Sequence, residues 1–116
     1  MSIFEIQEAA QKNNDMEAYA ATIHDDFEFI MHLDNSKMNK DQTMEMFSFM
    51  MNSADFATHE SRCLYENDDV MVAHAVMSFP DGTREAVLAY NQIKDGKVIR
   101  LETGATLLPQ VINQSN

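Results

Sequence analysis

Apolar and polar residues repeat along this chain with two different periods, and the change of period separates helices from strands. Ser2 with Glu5 forms a capping-box pattern, and the apolar residues behind it recur at helical spacing. This predicts a helix from residue 3 that ends in the polar stretch 11–14. Asn14 with Glu17 repeats the capping pattern and predicts a second short helix, which Asp25 and Asp26 end.

A two-residue period follows, with Phe27, Phe29 and Met31 on one face of a strand over residues 27–33. Asn39 with Gln42 then predicts a third helix that ends near residue 52. The rest of the chain reads as four strands, over residues 57–66, 70–79, 84–94 and 97–107. The turn sequences Pro80-Asp81-Gly82 and Asp95-Gly96 predict hairpins between them. This order of elements is typical of an α+β domain.

Length and charge limit the function further. A chain of 116 residues suits one domain, here residues 1–108, followed by a flexible tail over residues 109–116. The formal net charge of −11 opposes binding to nucleic acid or to anionic membrane surfaces, both of which need clustered basic residues. Cys63 is the only cysteine, and the first residues do not form a basic, apolar leader. We therefore expect a cytoplasmic protein without an internal disulfide.

Two segments carry a resemblance to a known family. Asn14-Asp15-Met16-Glu17-Ala18-Tyr19 leads into Asp25-Asp26-Phe27-Glu28-Phe29, and residues 94–101 look like a final hairpin. In this order, they resemble the nuclear transport factor 2-like superfamily, and its SnoaL-like branch most, over residues 3–107. The resemblance implies a cone-shaped α+β barrel, in which a curved antiparallel sheet wraps around N-terminal helices and leaves a pocket at its open end. Ketosteroid isomerases, scytalone dehydratase, polyketide cyclases and binding domains without chemistry share this fold, so fold alone does not set function.

The resemblance also shows which catalytic groups are missing. Aligned through Asp25-Asp26, the isomerase base falls at Met31, its tyrosine at Gln7 and its late acid near Ala89. Met31 cannot accept a proton, so this alignment argues against isomerase chemistry by that route.

The candidates that remain are His74, Asn91 and His59. Strand alternation predicts that His74 shares the pocket face with Val70, Val72 and Val76, either as a ligand contact or as a hydrogen-bonded core histidine. Asn91 is predicted to face the pocket and to need a partner, which could be His74, water or a ligand. His59 is predicted at the pocket or its rim, and His32 on the outside. The predicted pocket lining is Phe27, Phe29, Met31, Val72, His74, Asn91, Leu101 and Thr103.

No metal site and no cofactor are predicted, because the histidines lack a metal-ligand spacing and there is no glycine-rich phosphate loop. The second meander strand is apolar on both faces, which predicts that both faces are covered. We expect the outer one to form a homodimer interface; the alternative is a helix or residues 108–112 covering it. The predicted interface residues are Met71, Ala73, Ala75, Met77, Leu88 and Tyr90.

Three functions therefore stay open. The first is a protein that binds a small apolar or amphipathic molecule in its cone. The second is an enzyme of the cyclase, dehydratase or isomerase type, with His74 as acid–base group and Asn91 or His59 in support. The third is a dimeric association module without chemistry.

Overall fold

The computed structural model describes residues 2–109, in which three helices pack on one side of a six-stranded sheet. The helices are α1 (Ile3–Lys12), α2 (Met16–Ala20) and α3 (Lys40–Met51). The strands are β1 (Ile23–Ile30), β2 (Lys37–Asn39), β3 (Ala57–Glu66), β4 (Val70–Ser78), β5 (Arg84–Lys94) and β6 (Lys97–Leu107). The α+β class is confirmed, and the part of the tail from residue 110 lies outside the described residues.

The predicted helix starts are largely confirmed by their caps. Ser2 Oγ accepts from the Glu5 backbone N–H at 3.1 Å, and the Glu5 carboxylate accepts from Ser2 N at 3.0 Å. Asn39 and Gln42 make the same reciprocal pair at the start of α3. The second helix differs: its N-cap is Asp15, which accepts from Ala18 N, while Asn14 takes a positive φ of 50° in the preceding turn.

The sheet is mixed and open, where the sequence predicted an antiparallel barrel. Its strand order is β2-β1-β6-β5-β4-β3, and β1 pairs with β6 in parallel. On one side β1 pairs antiparallel with β2, its neighbour in sequence, and on the other side it lies parallel to β6, the last strand of the meander. Ile23 was predicted in the second helix, but it pairs with Val98 and begins β1 instead. The three-residue strand β2 was not predicted.

Both predicted hairpin turns form as expected. Asp95 and Gly96 have φ values of 55° and 77°, the left-handed pair that a type I′ turn requires. At the other turn, Gly82 has a φ of 87°, and Asp81 Oδ1 accepts from Thr83 N at 2.9 Å. These turns set the registers of β4 on β5 and of β5 on β6.

The registers of β4 on β5 and of β5 on β6 decide which side of β4 faces the helices. They show that the predicted assignment of the two faces of β4 is wrong. Met71 lies opposite Asn91, which lies opposite Leu101, and all three are buried on the helix side. The odd-numbered residues of β4, Met71, Ala73, Ala75 and Met77, therefore face inward and not toward a partner. Val72 and His74 alternate with them and lie on the outer face, together with Leu88 and Tyr90.

Helix α1 is tied to the far end of β3 through its first turn. The carboxylate of Glu66 accepts hydrogen bonds from Ile3 N at 2.9 Å and Phe4 N at 3.3 Å. A carboxylate there satisfies free backbone donors and complements the positive end of the helix dipole. In residues 2–109, no helix has the length and apolar character that crossing a membrane requires.

Candidate functional site

A cavity of about 510 Å³ lies between the helices and the inward face of the sheet. It is bordered by α1, α2 and α3 and by the inner residues of β1, β3, β4, β5 and β6. Exposed residues such as Leu33 and Asp81 also border it, so the cavity reaches the surface at the end near the β4–β5 turn. Its size lies within the range of small-molecule sites, about 300–1,000 Å³.

Most of the cavity wall is apolar. Its aromatic part is ordered by packing: the Phe47 ring contacts Tyr19 edge-on at 5.7 Å between centroids and Phe29 at 6.2 Å. Thioether side chains supply much of the remainder, and they adapt readily to differently shaped apolar groups. The lining methionines are Met31, Met46, Met50, Met51, Met71 and Met77.

Gln7 brings a buried amide to the cavity from α1. Its Nε2 donates to Thr22 Oγ1 at 2.9 Å, and the Thr22 hydroxyl donates to the Tyr19 carbonyl oxygen at 2.7 Å. Because the single Thr22 proton is already used, Thr22 can only accept from Gln7, and this fixes which end of the amide faces Thr22. Gln7 Oε1 therefore points away from Thr22, and no described residue donates to it.

Asn91 brings a second buried amide from β5. Its side chain is part of a residue only 5% exposed, and its Nδ2 donates to the Met71 carbonyl oxygen at 3.2 Å. A carbonyl only accepts, so the amide nitrogen must face it and Oδ1 is left over. Within residues 2–109, nothing donates to Oδ1. Asn91 thus faces the cavity as predicted, with Met71 rather than His74 as its partner.

Tyr19 is the third buried polar side chain in the wall. Burial raises the pKa of its phenol to about 12, and a side-chain hydrogen bond from Gln11 offsets only part of that rise. The hydroxyl is neutral at physiological pH and stays so under any mildly alkaline condition.

The charged residues that border the cavity are all acidic: Glu8, Asp81 and Glu85. No lysine or arginine borders it among the described residues. Hydrogen bonds from Thr83 hold the pKa of the Asp81 carboxyl below its usual value, which keeps that carboxylate charged. An anionic ligand would therefore meet like charge at the border of the cavity, without a lysine or arginine among the described lining residues.

The structure brings six of the eight predicted lining residues to the cavity: Phe29, Met31, His74, Asn91, Leu101 and Thr103. Phe27 is buried in the core instead, and Val72 lies on the outer face. His74 borders the cavity, but its cross-strand partners are Arg62 and the exposed Leu88, so alternation assigns its ring to the outer face. His59 is also on that face, with its Nε2 2.9 Å from Ser78 Oγ.

His32 lies at the exposed border of the cavity, although the sequence placed it on the outside. It borders the cavity, and its Nδ1 lies 2.7 Å from Thr103 Oγ1. It was predicted to face outward by alternation from Met31, but β1 ends at Ile30 and a turn follows, so alternation does not hold there. No local sequence signal marks this contact, which joins residues far apart in the chain.

The part of the chain that the structure describes contains neither a metal-binding cluster nor an activated cysteine. That part holds no group of three or more histidine, cysteine or acidic side chains placed to bind a metal ion. Cys63 is exposed, and desolvation together with nearby Glu66 raises the pKa of its thiol, which lowers the thiolate fraction at neutral pH.

Comparison with solved structures defines the fold class: the chain has the nuclear transport factor 2-like (NTF2-like) fold. An NTF2-like protein of unknown function from Mesorhizobium loti matches with a TM-score of 0.78 at 10% identity, over 90% of this chain and 88% of that one. A ketosteroid isomerase-like protein from Kribbella flavida matches with a TM-score of 0.74 at 11% identity, over 98% and 82%. An LEH-like epoxide hydrolase from M. tuberculosis matches with a TM-score of 0.66 at 14% identity, over 90% and 80%.

No family model and no curated protein matches the chain. The isomerase-type positions inferred by alignment can nonetheless be placed: Gln7, Met31 and Ala89 all border the cavity. The residues at these positions supply neither a base nor an acid.

Proposed function

We propose that this protein binds a small, mainly apolar molecule in the cavity between its helices and sheet. The observation that carries the proposal is the cavity itself: about 510 Å³, walled mainly by aromatic and methionine side chains. Such a wall favours burial of an apolar ligand by roughly 25 cal/mol for each Å² removed from water. The polar side chains buried in the described part of the wall, Gln7, Tyr19 and Asn91, supply orientation rather than a strong base.

Native mass spectrometry tests this proposal on protein purified from cells that naturally express it. We expect a bound small molecule that survives gentle ionisation and is lost on denaturation. Ala89→Phe fills the cavity from β5, while Ala86→Phe adds the same ring on the outer face of the same strand. The adduct should be absent from the first variant and present in the second; retention by both would place the ligand elsewhere.

Acid–base catalysis is the alternative function for the same cavity. Its support is His32, whose imidazole contacts Thr103 at the cavity wall, and imidazole suits proton transfer near neutral pH. His74 is a weaker candidate, because its ring belongs to the outer face. If an enzymatic activity is found, His32→Ala should abolish it and His74→Ala should leave it unchanged. The reverse result would support His74, the acid–base group predicted from the sequence.

Association through the outer face of the sheet is a separate proposal. Leu88 and Tyr90 are 47% and 40% exposed on that face, and large exposed apolar side chains in a contiguous patch favour association. By register, Arg62, Arg84 and Arg100 lie on the same face, and they are all the arginines of the chain. Arginine and tyrosine are enriched in interfaces. We propose a second copy of the chain as the partner, in a two-fold arrangement.

A further inference from the structure

We infer that the cavity selects an apolar ligand carrying a hydroxyl group, which donates its proton to one of the two free amide oxygens, Gln7 Oε1 or Asn91 Oδ1. This inference rests on the proposed function and specifies the ligand class for the same site. It follows from the fixed orientation of two amides, from their burial and from the sign of the charges that border the cavity.

Each amide has one end held by a hydrogen bond and the other end free. The Gln7 nitrogen is held by Thr22, whose only proton goes to the Tyr19 carbonyl, and the Asn91 nitrogen is held by the Met71 carbonyl. Turning either amide over would place two acceptors against each other and lose its bond. The carbonyl oxygens, Gln7 Oε1 and Asn91 Oδ1, therefore remain as acceptors without a donor among the described residues.

These two oxygens belong to residues of the cavity wall. Gln7 and Asn91 are 8% and 5% exposed, and both border it. Among the described residues, Thr43 Oγ1 is the one side-chain oxygen or nitrogen that is both shielded from solvent and without a hydrogen-bond partner. The two amide oxygens have no donor either, so they must keep some accessible surface. Because both residues are otherwise buried and border the cavity, we assign the accessible surface of these oxygens to the cavity.

A ligand satisfies a free amide oxygen only if it carries a hydrogen-bond donor. An acceptor buried without a donor costs about 1–3 kcal/mol, so an apolar ligand that offers no donor would leave both oxygens unpaired. A hydroxyl group donates to an amide oxygen and accepts from the second hydrogen of an amide nitrogen. An ether only accepts, and a carboxylate both lacks a donor and meets like charge from Glu8, Asp81 and Glu85, which border the cavity.

The experiment compares three probes that share one ring system: 2-naphthol, 2-methoxynaphthalene and 2-naphthoate. The chain contains no tryptophan, so the naphthalene emission can be titrated against a low protein background. We expect 2-naphthol to bind about fivefold to tenfold more tightly than 2-methoxynaphthalene, as one extra hydrogen bond allows, although the ether is the more apolar molecule. The naphthoate should bind most weakly.

Matched variants then locate the selectivity. In at least one of the variants Gln7→Met and Asn91→Leu, which keep the approximate shape of the side chain, the ratio of the two affinities should fall toward one, because the single hydroxyl proton satisfies one amide oxygen. Gln92→Met removes an amide from the outer face of β5 and should leave the ratio unchanged. If a variant does not fold, the ratio measured on the unaltered protein still decides.

The outcomes separate this inference from the function on which it rests. Equal affinity for 2-naphthol and the ether, or tighter binding of the ether, would overturn the hydroxyl preference and leave the apolar cavity as a binding site. An unchanged ratio in both amide variants would also overturn it. Failure of all three probes to bind would contradict the proposed function and this inference with it.

Discussion

The side-chain amide nitrogen of Gln7 donates a hydrogen bond of 2.9 Å to the hydroxyl oxygen of Thr22. This bond joins the middle of α1 to the residue before β1, and it orients an amide at the cavity wall. Thr22 in turn donates to the backbone of Tyr19 at 2.7 Å. The Thr22 hydroxyl thus determines which end of the Gln7 amide points away from it in the candidate site.

Removing that hydroxyl should affect both stability and the site. In Thr22→Val we expect the free energy of unfolding to fall by about 1–2 kcal/mol, because a buried amide and a backbone carbonyl lose their partners. Urea denaturation measures this change. Thr106→Val, at an exposed position near the end of β6, is the matched control and should change stability by less than about 0.5 kcal/mol. Equal stability of the two variants would show that the Thr22 bonds contribute nothing.

Removal of the Thr43 hydroxyl should raise the free energy of unfolding, in contrast to removal of the Thr22 hydroxyl. The Thr43 side chain is fully buried in α3, and its hydroxyl oxygen has no hydrogen-bond partner among the described residues. Thr43→Val keeps the shape and removes the unsatisfied group, so we expect a gain of about 1 kcal/mol in the free energy of unfolding. Thr43→Ala removes a packed methyl group as well and should be less stable than Thr43→Val. A loss above about 1 kcal/mol in Thr43→Val would mean that the hydroxyl is satisfied.

The buried phenol of Tyr19 should make the protein less stable at alkaline pH. Burial raises the pKa of its phenol from 10.0 to about 12. The unfolded chain therefore releases this proton first, so the stabilising contribution is complete below about pH 10 and is lost as the pH rises toward 12. The difference amounts to roughly 2–3 kcal/mol.

Thermal unfolding of the unaltered protein and of Tyr19→Phe, followed across that pH interval, isolates this effect. The unaltered protein should lose stability more steeply, because phenylalanine has no proton to release. In parallel, the phenolate absorbance titration should lose its highest step in the variant. Identical pH profiles for the two proteins would contradict the burial of an un-ionised phenol.

The association proposal predicts a change of mass on substitution of the outer face. Light scattering at micromolar concentration should give about twice the chain mass of 13.2 kDa, and Leu88→Glu should return it to that of one chain. Leu33→Glu adds the same charge at a side chain that is 83% exposed in a turn, and should leave the mass unchanged. A single-chain mass for the unaltered protein would contradict the proposal.

Local patterns predicted the elements well because helix caps and hairpin turns depend on residues close in sequence. Asn39 with Gln42 marks the start of α3, and Asp95-Gly96 sets the turn between β5 and β6. The strand β2 escaped prediction because three residues are too few to show a period. The parallel pairing of β1 with β6 depends on which distant strand lies beside β1, and no local pattern carries that information.

The faces of β4 could not be read from its own sequence, because the strand is apolar on both sides. The β4–β5 hairpin pairs odd residues with odd ones, as in Met71 with Asn91. Placing both His74 and Asn91 toward the pocket was therefore inconsistent with that hairpin. Asn91 shares a buried face with Ile93 by alternation along β5, and the register then assigns Met71 to the inside and His74 to the outside.

The buried amides of the site illustrate the same limit. Gln7 drew attention only because it replaced a family tyrosine, and nothing near it in sequence identifies Thr22 as its partner. The orientation of both amides depends on contacts across the fold, 15 residues apart for Gln7 and 20 for Asn91. The sequence therefore predicted an apolar cavity with few polar groups but not the direction in which those groups point.

The central claim, that the cavity holds a small apolar molecule, is tested most directly by titrating 2-naphthol into the unaltered protein, Ala89→Phe and Ala86→Phe while following its fluorescence. We predict saturable binding of one probe per chain to the unaltered protein and to Ala86→Phe, and none to Ala89→Phe, whose added ring occupies the cavity. No saturable binding to the unaltered protein, or equal binding to both variants, would contradict the claim.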